Sequence, residues 1–258
     1  MHRHMTTTAL LAASLAAGAA QAENRIDQQL PNAPELAAYG DHAVGVRTLE
    51  MVNPGQIDIL AIDPAADKPA EMPRYDRPLT VEMYYPAAEG ANGDTAFKAY
   101  LRDGTTEVTL TGQAMRDVDP LAGETFPLVL ISHGYPGNRY LMSHLAENLA
   151  SKGYVVASID HPDSTYDDQG AFGSTLVNRP WDQRFVLDSI AALDGPLGGA
   201  IDASNVAVIG YSMGGYGALI YGGAGVTQAS TEYPWGTPNG LLARHLEGSD
   251  THATLPNE

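Results

Sequence analysis

The chain has 258 residues, 44% hydrophobic and 17% charged, the balance of one sizeable globular domain rather than of a disordered chain. Its formal charge of −17 repels polyanions, which argues against nucleic acid or an anionic membrane surface as partner, since both are held mainly through Lys and Arg. With no cysteine, a thiol nucleophile, a disulfide framework and a thiolate metal site are all excluded.

The N-terminus runs from a short polar start with Arg3, through an apolar stretch at 9–17, to Ala20-Gln21-Ala22. That order is an export signal cleaved after Ala22, and its apolar part is too short for a membrane span. A periplasmic or secreted protein is expected. Loss of residues 1–22 removes one base and no acid, so the mature charge becomes −18. Residues 23–42, broken by Pro31 and Pro34, read as an extended segment leading into a domain over 43–258. Alternation predicts a strand over 43–51, Asn53-Pro54-Gly55 signals a turn, and a short apolar run follows at 57–62. After a proline-rich, charged connection, 79–85 alternates cleanly until Pro86 stops it. Residues 87–125 are mostly polar, an excursion with one strand at 107–110.

The pattern then changes. The continuous apolar run 126–131 is of the kind buried on both faces of a parallel sheet, and it ends in Ser132-His133-Gly134-Tyr135-Pro136-Gly137-Asn138. Asn138 is placed to cap a helix over 139–152, closed by Gly153. A second buried strand follows at 154–159, then the acidic loop Asp160-His161-Pro162-Asp163 and a long loop to Pro180. Helical periodicity over 181–193 puts Phe185, Val186, Ile190 and Leu193 inward, and 194–199 ends that helix. Strand 205–209 leads into Gly210-Tyr211-Ser212-Met213-Gly214 and at once into small, helix-compatible residues. Strand, helix, strand, helix, strand, helix predicts a doubly wound, mostly parallel α/β sheet with its site at the carboxyl ends of the strands.

G-x-S-x-G between a β-branched strand and a helix is a nucleophile elbow, so Ser212 is the candidate nucleophile. A serine hydroxyl needs a histidine to take its proton, a carboxylate to orient that histidine, and donors for the oxyanion. The amide after the serine, Met213, and one from the loop around Gly134 and Tyr135 are the candidate donors.

These segments resemble the α/β-hydrolase superfamily, more narrowly bacterial relatives of platelet-activating-factor acetylhydrolase and dienelactone-hydrolase-like esterases. The residues carrying the likeness are Arg77-Pro78-Leu79-Thr80-Val81 with Tyr85-Pro86-Ala87, then 127–134, 150–156 with Asp160-His161, and 210–215, spread over about 44–219. The resemblance implies a cofactor-free serine hydrolase cleaving short-chain acyl or lipid esters, acetylhydrolase or lipase-like, through an acyl-enzyme on Ser212. Its oxyanion hole would be the amides of Tyr135 and Met213. Dienelactone hydrolases proper use cysteine, so that likeness describes fold kinship. A non-catalytic binding protein on the same fold is the alternative.

His133 precedes the serine, whereas this superfamily orders serine, acid, histidine; it is read as loop architecture, and His133, Gly134 and His161 as possible pocket lining. Asp160, Asp163, Asp167 and Asp168 lack an ordered oxygen-ligand pattern and read as a solvated acidic loop, with no metal expected. The 46 residues after Ser212 contain no further buried strand. Asp250 and His252 have suitable types but stand two apart in a polar tail, and His245 is no better placed as base. The expectation is a hydrolase fold incomplete at its C-terminus, with acid and histidine beyond Glu258 and a sheet edge left uncovered. Activity then belongs to the complete protein.

Overall fold

The computed structural model describes residues 24–251 apart from 64, 68, 171, 234–237 and 250. The export-signal reading of 1–22 therefore lies outside the described residues, as do Asp250 and His252. In chain order the elements are β1 (Val44–Ile57), β2 (Arg74–Pro86), β3 (Ala96–Tyr100), β4 (Glu107–Thr111), β5 (Met115–Arg116), β6 (Phe126–Ser132), α1 (Ser143–Ala150), β7 (Val155–Ile159), α2 (Phe172–Ala191), α3 (Gly195–Gly199), β8 (Ile201–Gly210), α4 (Met213–Tyr221) and α5 (Gln228–Thr231).

Six strands form one sheet in the order β5-β1-β2-β7-β6-β8, and β3 and β4 make a separate hairpin. β7, β6 and β8 run parallel; β2 is antiparallel to both β7 and β1. Side chains along a strand alternate between faces. Accordingly Leu128 and Leu130 of β6 join the cluster containing Val186, Leu187 and Ile190 of α2, while Val129 and Ile131 join the cluster containing Ala146 and Ala150 of α1. α1 and α2 therefore cover opposite faces, the three-layer arrangement expected from the continuous apolar run at 126–131.

This winding places the site. From β6 the chain passes through α1 to β7 on one side, then crosses back through α2 to β8 on the other side of β6. The connections leaving β6 and β8 thus diverge to opposite faces, and a crevice opens between their carboxyl ends.

Several predicted boundaries move. β1 runs through Asn53-Pro54-Gly55, which forms a bulge between Asn53 and Gln56 rather than a turn. α1 begins at Ser143 with Met142 at its cap; the Asn138 side chain instead accepts from the Tyr140 amide at 3.1 Å, in a turn before the helix.

The largest change is α2, which starts at Phe172 and carries Pro180 inside it, where the sequence suggests a long loop. Proline cannot donate to the carbonyl four residues back, here Leu176. The Tyr216 hydroxyl of α4 donates to that oxygen at 2.9 Å and so replaces the missing bond. Tyr216→Phe should leave the carbonyl without its donor and cost about 1–2 kcal/mol in chemical denaturation; an unchanged midpoint would show the bond is not needed.

β8 forms the end of the sheet and pairs with β6 alone among the described residues. Residues 204–207 in its middle are exposed, as is Leu219 of α4. After α4 the described residues form α5 and a 3-10 segment, Pro238–His245, but no further strand.

Candidate active site

Ser212 stands at the junction of β8 and α4 with φ +54° and ψ −116°, a region non-glycine residues seldom occupy, and its side chain is exposed. The turn is tight because its glycines lack side chains. A Cβ on Gly214 would overlap the Ser132 carbonyl, and one on Gly210 would overlap the backbone at Gly214. β6 and β8 close together here through the Tyr211 amide, which donates to the Ser132 carbonyl at 3.0 Å.

That closure brings the 133–138 loop beside the serine. A Cβ on Gly134 would lie 3.2 Å from the Ser212 Cβ, so glycine permits the approach. Among the described residues the amides of Tyr135 and Met213 make no hydrogen bond to the protein. One belongs to the loop and one to the first residue of α4. Two uncommitted N–H donors beside a strained, exposed hydroxyl are the parts acyl transfer uses for a developing oxyanion.

Behind the loop lies a buried polar network. Ser132 Oγ donates to His161 Nε2 at 2.8 Å, and His161 Nδ1 donates to Asp182 Oδ2 at 2.9 Å. This is a serine, histidine, aspartate chain, yet Ser132, His161 and Asp182 are each at most 1% exposed, so no acyl group can reach it. Asp182 also takes two bonds from Arg77, from Nε at 2.7 Å and Nη2 at 3.0 Å, and Arg77 Nη1 reaches Asp163 at 3.0 Å.

His133 is equally buried. Its Nδ1 donates to the Gly134 carbonyl at 2.7 Å, and its Nε2 accepts from the His161 amide at 3.2 Å, which fixes a neutral tautomer. Both imidazoles thus have their nitrogens engaged inside the fold, beneath the loop rather than in an open cleft. Burial, helped by the neighbouring Arg179 charge and opposed by Asp182, holds His161 down to about 4; burial holds His133 well below the ordinary histidine range.

The sign of the resulting pH dependence is fixed. The unfolded chain protonates His161 near its ordinary 6.5, the folded chain only near 4. Stability is therefore complete above 6.5 and is lost as pH falls from there towards 4, by about 3 kcal/mol for this one group. Denaturation midpoints measured between pH 7 and 4 should fall accordingly, and His161→Gln should flatten that decline; an equally steep decline in the variant would contradict it.

The other sequence candidates are placed as follows. The acidic loop is tied into the fold rather than freely solvated: Asp163 is buried on Arg77, Asp160 pairs with Arg139, and Asp168 accepts from the Asp163 amide at 2.9 Å. No cluster of metal-binding side chains occurs among the described residues. His245 is buried and its Nε2 donates to the Val177 carbonyl at 2.7 Å, docking the 3-10 segment on α2. None of the hydrogen bonds made by His133, His161 or His245 reaches Ser212. Arg179, Asp182 and Gln183 of α2, which support the loop and α4, are not among the sequence candidates, and Arg77 of β2 enters there only through the family likeness. The i, i+3, i+4 spacing of the three α2 residues was the available signal, masked by reading 170–180 as a loop.

A solved ferulic acid esterase from Streptomyces cinnamoneus superposes on 77% of this chain with a TM-score of 0.52 at 24% identity, using 58% of that structure. The chain has the α/β-hydrolase fold. Residues 118–240, which span β6, the loop, α2 and the elbow, match the family model described as PETase: PET hydrolase-like. Cutinase 1 of Thermobifida cellulosilytica is 33% identical over 106 residues, 39% of this chain and 36% of that protein. A shorter stretch, 63 residues at 38% identity, matches platelet-activating factor acetylhydrolase of Cavia porcellus, covering 23% of this chain and 14% of that protein. The matched part is thus about a third of the cutinase's length. Within the hydrolase fold, the elbow and the 133–138 loop occupy the switch-point crevice.

Proposed function

We propose that the protein cleaves carboxylic esters through an acyl-enzyme on Ser212. The observation carrying this reading is the exposed, strained Ser212 flanked by the uncommitted amides of Tyr135 and Met213. Ser212 Oγ attacks the ester carbonyl, the carbonyl oxygen becomes an oxyanion received by the two amides, and the alcohol leaves; water then releases the acid. Each donor is worth about 3 kcal/mol to such a transition state. The general base comes from outside the described residues.

The similarity to cutinases, to a PET hydrolase-like family and to a ferulic acid esterase supports ester hydrolysis, and it draws the reading from acetylhydrolases towards esters of larger acids. A groove of about 380 Å³, lined by Phe172, Leu176, Tyr216, Val226, Tyr233 and Leu242, suits an apolar acyl or aromatic group. It adjoins the loop through the Tyr135 and Phe172 rings, 5.4 Å apart. Export remains part of the proposal, on the strength of residues 1–22; among the described residues no helix is long and apolar enough to cross a membrane.

The second reading, a binding protein on the hydrolase fold, is favoured by the lack of a described histidine bonded to Ser212. A panel of nitrophenyl esters from acetyl to octanoyl, with a feruloyl ester, separates the two. Turnover with any member supports hydrolysis; saturable binding without turnover across the panel supports the second reading.

A further inference from the structure

Arg179 is fully buried on α2, and the partners of its guanidinium are all uncharged oxygens. Nη1 donates to the His133 carbonyl and to Ser132 Oγ at 3.3 Å; Nη2 donates to Ser164 Oγ at 2.7 Å and reaches the Gly134 carbonyl at 3.5 Å. Its Nε has no partner among the described residues. A buried cation is costly to desolvate, and a purely structural arginine is better placed on a carboxylate, as Arg77 is on Asp182 and Asp163. Arg179 instead directs its donors at consecutive carbonyls of the loop beside Ser212.

The geometry of the peptide gives this a consequence. In a trans peptide the carbonyl and the following N–H point in opposite directions. Holding the Gly134 carbonyl inward, towards Arg179 and His133 Nδ1, turns the Tyr135 amide outward. The same arginine also touches the helix that carries the nucleophile. A Cβ on Gly217 of α4 would come within 2.9 Å of Arg179 Cγ, so α4 rests directly on its stem. The guanidinium thus registers the loop while the stem registers the helix behind Ser212.

We propose that Arg179 is a positioning residue for ester hydrolysis, fixing the Gly134–Tyr135 peptide so that the Tyr135 amide faces the oxyanion formed at Ser212. The proposal rests on the serine-hydrolase reading above. Arg179 touches neither substrate nor reacting atoms; it acts through the loop.

The test uses Arg179→Gln and Arg179→Lys in the full chain. Three quantities are measured: the order parameter of the Tyr135 amide from NMR relaxation, kcat and KM on a nitrophenyl ester, and affinity for an alkylboronic acid that mimics the tetrahedral intermediate. Misplacing one oxyanion donor costs about 100-fold. The Gln variant should therefore lose about 100-fold in kcat with KM within about twofold, and boronate affinity should weaken in parallel. The Tyr135 order parameter should fall from the rigid range of about 0.85 to below about 0.6, since a released peptide is no longer held in one orientation. The Lys variant, which keeps a cation and part of the contact, should recover part of each loss. An unchanged Tyr135 order parameter or an unchanged kcat would overturn the proposal, as would a loss accounted for entirely by the fraction unfolded. Should the Gln variant not fold, Gly217→Ala presses on the Arg179 stem while leaving its guanidinium, and the same Tyr135 order parameter decides the matter. If the wild-type chain neither turns over ester nor binds boronate, the hydrolase reading fails; the order parameter still decides separately whether Arg179 holds the loop.

Discussion

Ser212→Ala is expected to lower kcat/KM for a nitrophenyl ester by at least about 10⁴-fold, the scale on which removing a nucleophile abolishes covalent catalysis and leaves only binding and the oxyanion donors. Stability should barely change, because alanine keeps the Cβ and hence the strain of φ +54°. Ser212→Gly separates the two roles. Glycine occupies that backbone region without a steric penalty, so this variant should be as inactive as alanine but more stable by about 1 kcal/mol. A Ser212→Gly protein no more stable than wild type would mean the elbow is not strained. An Ala variant with near-wild-type turnover would mean the chemistry lies elsewhere.

The largest effect on stability is expected from Asp182→Ala. Asp182 is completely buried and neutralises Arg77 through two hydrogen bonds, while a third orients His161 and through it Ser132. Removing the carboxylate leaves a guanidinium that is 1% exposed with only Asp163 as a charged partner. Breaking one side of a buried pair costs about 3–5 kcal/mol, because the remaining charge is stranded away from water. Urea denaturation measures it directly. A loss under about 1 kcal/mol would show that Asp163 and water compensate, and that the network is not what supports the loop.

Much of the fold is legible in the residues because burial on two faces leaves a plain mark. The runs 126–131 and 154–159 are apolar but for Ser158, and both form strands with side chains divided between the two cores. The elbow is legible for a different reason: Gly210 and Gly214 are required by backbone overlap, so the motif records a steric constraint. The family likeness read from the same segments pointed to acetylhydrolases and dienelactone hydrolases, whereas the matching family model is PET hydrolase-like.

What was not legible depends on partners distant in the chain. Pro180 argues for a loop unless Tyr216, 36 residues later, is known to satisfy the Leu176 carbonyl. The bulge at Asn53-Pro54-Gly55 looks like a turn until Arg74 and Tyr75 pair across it. Asp182 lies off the inner side predicted for the 181–193 helix, and Arg179 in the predicted loop; only the return of β2 and the 133–138 loop makes them interior. Asp163 likewise reads as solvated loop until Arg77 arrives from β2, 86 residues earlier.

The central claim is that Ser212 is an activated nucleophile held beside the Tyr135 and Met213 amides. Treatment with a fluorophosphonate, followed by mass spectrometry of the intact chain and of its peptides, tests this most directly. In a protein that includes the residues supplying the general base, one adduct per chain is expected, on Ser212, with buried Ser132 unmodified and no adduct in Ser212→Ala. An adduct that persists in Ser212→Ala, or such a protein that takes none, would contradict it.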